Sequence, residues 1–314
     1  MPEAAGSAGA VHVACCFDQN MELPFLVLAN SLKRHLDGDR KVVLHAFHSD
    51  PVAHDLAYFV GLNSPMFEIR LRRIENRIQD VATWPSHLTA ATLFRFQLPS
   101  ILKDVDRVIY LDCDLIVLND IASLYDTDLL GLPLAACLDF WLTGGPPFAP
   151  PIVGWGVEEW RKFLSEVVRL ADQMAYFNAG VMVMDLERFR ATGLMHDAEA
   201  FLERTNYKTV YVDQDALNHV INGAFVRLDL RWNVLGNRRG TNNADRETST
   251  PAALTHADPW IIHYAGPRKP WSFEGRRMTM WHRRFWQEAA ESAVLPLLVR
   301  AFLKRSSELL RKEE

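Results

Sequence analysis

A chain of 314 residues with 49% hydrophobic side chains has the material for one large α/β domain or two small ones around a sizeable core. Its 34 Lys+Arg against 39 Asp+Glu make it mildly acidic, which excludes the overall basic excess of a nucleic-acid binder. Cys15, Cys16, Cys113 and Cys137 form neither a CxxC pair nor a spaced ligand set, so neither a zinc cluster nor a disulfide framework is expected.

Residues 1–10 are small and polar and read as a flexible N-terminus, without the basic start and apolar stretch of a secretion signal. No apolar run approaches the ~20 residues that span a bilayer. With free thiols, these features make the cytoplasm the expected compartment.

Val11 to Phe17 reads as a short buried strand. The turn Asp18-Gln19-Asn20 follows, then a helix starting near Pro24 with Phe25, Leu28, Ala29, Leu32 and Leu36 on one face. Lys41 to Phe47 and Met66 to Ile74 are the next strands, and strand, helix, strand order predicts parallel pairing with crossover helices. Val108 to Leu111 is a β-branched and aromatic strand running into Asp112-Cys113-Asp114. Strands are predicted again at Leu134 to Leu138 and Asn178 to Met184, and helices at Val157 to Gln173 and Asp213 to Val220. Gly144 to Gly156, rich in Gly and Pro, reads as a surface loop facing the acceptor or serving as a lid. Met280 to Lys312 reads as one or two helices interrupted near Pro296.

Asp112 and Asp114 are two apart at a strand's carboxyl end, where alternation sends both side chains the same way and parallel sheets bind ligands. Such a pair can hold a cation, and it can equally cap the strand and solvate a loop. Ile261-Ile262-His263 adds a strand-like pair and an imidazole, followed by Gly266 and Lys269 in a proline-bounded turn. Two carboxylates and a neutral imidazole make a reasonable shell for Mn2+, with Mg2+, which prefers oxygen ligands, as the alternative. Gly266 would admit a phosphate close to the backbone, and Lys269 would add positive charge.

Six segments in order then resemble family 8 retaining glycosyltransferases, the group of the bacterial lipopolysaccharide galactosyltransferases and glucosyltransferases, with glycogenin and galactinol synthase more distant. They are Phe17 to Asn20, His87 to Arg95, Leu111 to Asp114, Phe177 to Gly180, Asp213 to Asp215 and His263 to Trp271. The resemblance implies an α/β GT-A fold, a Rossmann-like mixed sheet flanked by helices and a small C-terminal helical extension. It implies a catalytic domain over 11–275 and a basic helical extension over 276–314. On the same ground Asp112, Asp114 and His263 are metal ligands, Asp18 and Asn20 contact the nucleoside, and Cys113 offers its backbone. His87, Thr92 and Arg95 lie near the donor, Gly266 and Lys269 on its diphosphate. Asp139, Asn178, Asp213 and Gln214 line the transferred sugar, with Gln214 nearest the anomeric carbon.

The activity implied is transfer of a hexose from UDP-galactose or UDP-glucose to a saccharide or glycolipid acceptor, as in lipopolysaccharide or surface-glycan synthesis. The alternatives are a nucleotide-sugar hydrolase or nucleotidyltransferase on the same donor site, and a non-catalytic nucleotide-sugar-binding protein. From Arg268 to Glu314 there are 11 Lys+Arg against 6 Glu, an excess of 11 − 6 = 5 positive charges among Trp281, Phe285, Trp286, Leu298 and Phe302. That composition suits peripheral contact with the inner face of an anionic membrane, and equally a solvated face on a packed helix.

Overall fold

A computed structural model describes residues 9–49, 61–75, 90–143, 155–236, 258–266, 269–272 and 279–310. Its strands are β1 (Val11–Phe17), β2 (Val42–His48), β3 (Phe67–Arg73), β4 (Arg107–Leu111), β5 (Leu115–Val117), β6 (Leu134–Leu138), β7 (Phe177–Asp185), β8 (Val226–Arg227), β9 (Val234–Leu235) and β10 (Ile261–His263). Seven of them form one sheet in the order β3-β2-β1-β4-β7-β6-β8. β1 pairs in parallel with β2 and β4, and β2 with β3, as strand–helix–strand order requires. β7 runs antiparallel to both β4 and β6, so the sheet is mixed.

β1 reads as a continuous apolar run because both of its faces are covered. Val13, Cys15 and Phe17 enter one core, and Ala14 and Cys16 enter a second on the opposite face. The helix Glu22–Arg34 covers the first face. It starts two residues before Pro24, which sits in its first turn, and its Ser31 Oγ accepts from Val117 N–H at 3.0 Å. That bond anchors the second, three-stranded sheet, β5-β10-β9. All four cysteines are buried and free.

The helix expected over Val157 to Gln173 is shorter. It is α-helical over Val157–Phe163, continues as a π-helical turn over Leu164–Val168 and stops where Arg169 adopts φ 61°. Of the expected loop Gly144 to Gly156, residues 144–154 lie outside the described residues, and Gly156 N–H donates to Glu159 Oε2 at the helix start. At the C-terminal end two helices form, Met280–Ala290 and Leu295–Leu310. The break falls at residues 291–294, just before Pro296, which is the second residue of the later helix, where its missing N–H costs nothing. Among the described residues no helix is long and apolar enough to cross a membrane.

Candidate active site

β4 ends at Leu111, and the chain turns through Asp112-Cys113-Asp114 into β5. Asp112 N–H donates to Gly180 O at 2.9 Å, and Cys113 Sγ is 3.3 Å from Cys16 O, which fix the turn against β7 and β1. β5 pairs antiparallel with β10 so that Leu115 faces His263, and Tyr264 N–H donates to Asp114 O at 2.8 Å. This ladder brings His263 beside two carboxylates far away in sequence. One potential ligand atom from each of Asp112, Asp114 and His263 lies within 4.8 Å of the others. His263 Nε2 is 3.1 Å from Asp114 Oδ1 and 3.7 Å from Asp112 Oδ2, a geometry that calls for positive charge between them.

Two permanent cations already serve this region. Lys269 Nζ donates to Asp114 Oδ2 and, at 2.8 Å, to Tyr264 O. Burial works to raise the Asp114 pKa, but Lys269 and His263 outweigh it and hold the carboxyl well below the usual range. Gly266, at φ 87°, takes a left-handed conformation in the turn that returns Lys269 to Asp114. Arg95 is buried and bonds Asp112 Oδ1 at 2.7 Å, Ala179 O at 2.9 Å and Thr92 O at 3.0 Å. It also pairs with Asp213 at 2.9 Å and stacks on the Tyr110 ring, whose hydroxyl donates to Asp112 Oδ1. Burial is the largest influence on Asp213 and, with Asp112 nearby, pushes its carboxyl up to about 7 despite Arg95.

Asp213 and Gln214 open the helix Asp213–Ile221, set up by Val212 at φ 38°, a left-handed conformation rare for a β-branched residue. Asn218 clamps this helix to β7, accepting from Phe177 N–H and donating to the Phe177 and Gln214 carbonyls, each at 2.9 Å. Ala179 N–H donates to Gln214 Oε1 at 3.0 Å, which turns the Gln214 NH2 towards Asp139 Oδ2 at 3.5 Å. Asn178 Nδ2 reaches the same Asp139 oxygen at 3.3 Å. The structure thus brings Asp112, Asp114, His263, Lys269, Arg95, Asp213, Gln214, Asn178 and Asp139 into one connected network.

Other expected positions stand differently. Asp18 is buried and its side chain accepts from Asn20 N–H at 2.9 Å, capping its own turn, while Asn20 is exposed. Thr92 contributes its carbonyl to Arg95, and His87 lies outside the described residues.

The match that decides the family is to the model described as glycosyl transferase family 8, over residues 12–275. The chain belongs to glycosyltransferase family 8. Among the proteins it is similar to, General stress protein A of Bacillus subtilis (strain 168) is 26% identical over 276 residues, 83% of this chain and 87% of that protein. "Probable galacturonosyltransferase-like 9" of Arabidopsis thaliana is 28% identical over 287 residues, 84% of this chain and 67% of the relative. The galactosyltransferase LgtC, solved with donor and acceptor sugar analogs, shares the fold with TM-score 0.69 at 24% identity over 90% of this chain and 96% of its own. The apo bifunctional glycosyltransferase WbbM gives TM-score 0.76 at 23% identity, and this chain covers 95% of itself but only 52% of WbbM. The fold is accordingly the GT-A fold of family 8.

Tyr110 and Asn233 shape this family 8 site without a motif signal of their own, and Gly180, which closes the Phe177 to Gly180 segment, does so in a way that the segment does not reveal. Tyr110 is the last residue but one of a buried strand and looks like core, yet its hydroxyl fixes Asp112. Gly180 has a role only in three dimensions: a Cβ there would stand 2.3 Å from His263 Cε1 and 2.9 Å from Asp112 Oδ2. Asn233, on the turn Leu230–Asn233, places Oδ1 3.0 Å from His263 Nδ1. A polar residue between Trp232 and Val234 was the only sequence signal for it.

Proposed function

We propose that this family 8 enzyme is a retaining hexosyltransferase whose catalytic residues all lie within 11–275. It moves galactose or glucose from a UDP-sugar to a saccharide or glycolipid acceptor in surface-glycan or lipopolysaccharide synthesis. The observation that carries this reading is the convergence of Asp112, Asp114 and His263 beside the buried Arg95, Asp213, Asn178, Asp139 and Gln214 cluster. The donor set fits a divalent cation: among the described residues Asp112, Asp114 and Asp213 are met by two permanent cations, Arg95 and Lys269, and Gly180 leaves room beside Asp112 and His263. Asp112, Asp114 and His263 would hold Mn2+, or Mg2+. Such an ion supplies Lewis-acid stabilisation of the leaving diphosphate.

Lys269 leaves Asp114 for the diphosphate and adds positive charge where the leaving group forms. Asp18, Asn20, Thr92, Cys113 and Gly266 serve the nucleotide, with His87 in the same role. Arg95 holds Asp112 and Asp213 in fixed relation, and Asp213, Asp139 and Asn178 orient the sugar hydroxyls. Gln214 is no nucleophile, since an amide is weakly nucleophilic and its oxygen is committed to Ala179 N–H. The acceptor oxygen bonds to the anomeric carbon on the face from which the diphosphate departs. The C–O bond to phosphate breaks, and the acceptor proton passes to the departing phosphate oxygen.

The test is product analysis with UDP-galactose and UDP-glucose, Mn2+, and water, saccharide or glycolipid as acceptor. Glycosylated acceptor is the expected product; free hexose alone would make the protein a hydrolase, and no turnover a binding protein. Asp112→Asn should lower transfer at limiting Mn2+ by at least about 100-fold, because several kcal/mol of charge stabilisation depends on it. Undiminished transfer would remove the metal assignment.

We place the enzyme in the cytoplasm, peripheral at the inner membrane face. Support comes from the helix Leu295–Leu310, which exposes Val299 and Leu303 beside Arg300 and Lys304. Anionic vesicles should sediment the intact protein and fail to sediment the Val299→Ser, Leu303→Ser double variant. Equal behaviour of the two defeats the membrane reading.

A further inference from the structure

We infer that Asn233 is a positioning residue that sets the proton of His263 on Nδ1 and, through Asn178, joins the cation-holding histidine to the cluster around Asp139. The inference rests on the reading of Asp112, Asp114 and His263 as cation ligands. Gly180 N–H is a backbone donor, and it meets the Asn178 side chain at 3.0 Å. The atom it meets must therefore be an acceptor, which fixes that atom as Oδ1 and denies the amide its flipped orientation.

The remaining protons follow in turn. Asn178 Oδ1 also receives Asn233 at 2.8 Å, so the Asn233 atom there is the NH2 group. That leaves Asn233 Oδ1, an acceptor only, facing His263 Nδ1 at 3.0 Å. His263 must carry its proton on Nδ1. In the neutral ring this directs the Nε2 lone pair at the space shared with Asp114 and Asp112. At the other end, the fixed Asn178 amide gives its NH2 to Asp139 Oδ2 at 3.3 Å.

Both Asn233 and Asn178 are buried, so water cannot replace either arm cheaply. Asn233 is held in place by its neighbours, since Val234 and Leu235 of β9 pair with Ile262 and His263 of β10. One backbone N–H on β7 thereby dictates the tautomer of a histidine on β10, with Asn233 as the link. Outer partners that orient a metal-ligating imidazole are worth roughly 10- to 100-fold in metal affinity.

The two arms separate by substitution. Asn233→Leu removes both, whereas Asn233→Asp keeps an acceptor for His263 Nδ1–H and loses the donor to Asn178. The proteins are titrated with free Mn2+ without nucleotide, followed by electron paramagnetic resonance, and transfer kinetics are measured at saturating Mn2+. Asn233→Leu should bind Mn2+ roughly 10- to 100-fold more weakly than wild type. Asn233→Asp should bind it no more weakly than wild type while its kcat falls. Wild-type Mn2+ affinity in a folded Asn233→Leu protein would overturn the inference, as would an Asn233→Asp protein as weak as the Leu variant. If Asn233→Leu does not fold, the Asp variant decides: unchanged kcat overturns the link to Asn178. A wild-type protein that takes up no Mn2+ removes the metal reading itself, and this inference with it.

Discussion

At position 180 the strand β7 passes so close to His263 and Asp112 that these two side chains leave room for hydrogen alone. Gly180→Ala must displace the imidazole, the carboxylate or the strand. Because misplacing reacting groups by ~1 Å costs about 100-fold, transfer should fall by at least that factor while the far-ultraviolet circular dichroism stays native. Wild-type transfer by the variant would show that the ligands can move aside without consequence. Asp112, Asp114 and His263 were legible in the sequence, because a carboxylate pair and an imidazole end apolar runs. Tyr110 and Asn233 were not, and Gly180 stood in the Phe177 to Gly180 segment without a reason, because each acts on another side chain, and that contact exists only after β4, β7 and β10 have been brought together. Asp18 shows the converse, since its bond to Asn20 N–H is the ordinary turn role that its residue type already suggested.

Among elements, the long strands were readable, and of the short ones only β10 was, through its apolar pair Ile261-Ile262. β1 and β6 were predicted with their observed limits, because five to seven apolar residues give a pattern to count. β8 and β9 have two residues each and β5 three, too few to show a period, although the β5–β10 pairing is what delivers His263 to Asp114. The β1–β2 pairing also carries a pH dependence. His12 Nδ1 and His45 Nε2 are 3.0 Å apart with the rings stacked, and Arg70, Arg72 and Glu68 of β3 are their charged neighbours. Burial first, then His12, Arg70 and Arg72, depress His45 from 6.5 to about 4, against a smaller opposing pull from Glu68. A depressed pKa means that the unfolded chain takes up the proton first. The stability from keeping His45 neutral is complete above about pH 6.5 and lost as pH falls towards 4, on the order of 3 kcal/mol in all. Asp215, raised by burial to about 6, has the opposite slope, so the contrast must be read as a difference between proteins. Urea unfolding should find wild type losing stability relative to His45→Gln between pH 6.5 and 4; a pH-independent difference would mean that the pair is not neutral in the fold.

For the whole molecule, the question is what the C-terminal helices are for. Their basic composition suggests an extension, yet the helix Met280–Ala290 directs Arg283 and Arg284 outward, buries Glu288 against Arg34 at 2.7 Å, and sends Trp281, Phe285 and Ala289 into the main core, followed by Val294 and Leu298. It also grips the active-site turn: Trp286 Nε1–H donates to Pro270 O at 3.1 Å, Tyr264 O–H donates to Trp281 O at 2.7 Å, and the Trp271 and Phe285 rings lie 4.9 Å apart. Lys269 therefore stands on a turn whose floor is this helix. At roughly 1.5–3 kcal/mol for each large side chain buried, four of them represent about 6–12 kcal/mol, as much as the net stability of a typical domain. Removing residues 276–314 should consequently give a chain that fails to fold, with no cooperative thermal transition. Trp286→Ala, which removes one contact at the turn and spares the deeper core, should instead melt cooperatively and bind UDP more weakly through a displaced Lys269. A truncated chain that melts like the intact protein would restore the picture of a detachable extension, and normal UDP binding by Trp286→Ala would separate the helix from the site. The pair of measurements distinguishes a helix that merely completes the core from one that also sets the position of a charge in the donor site.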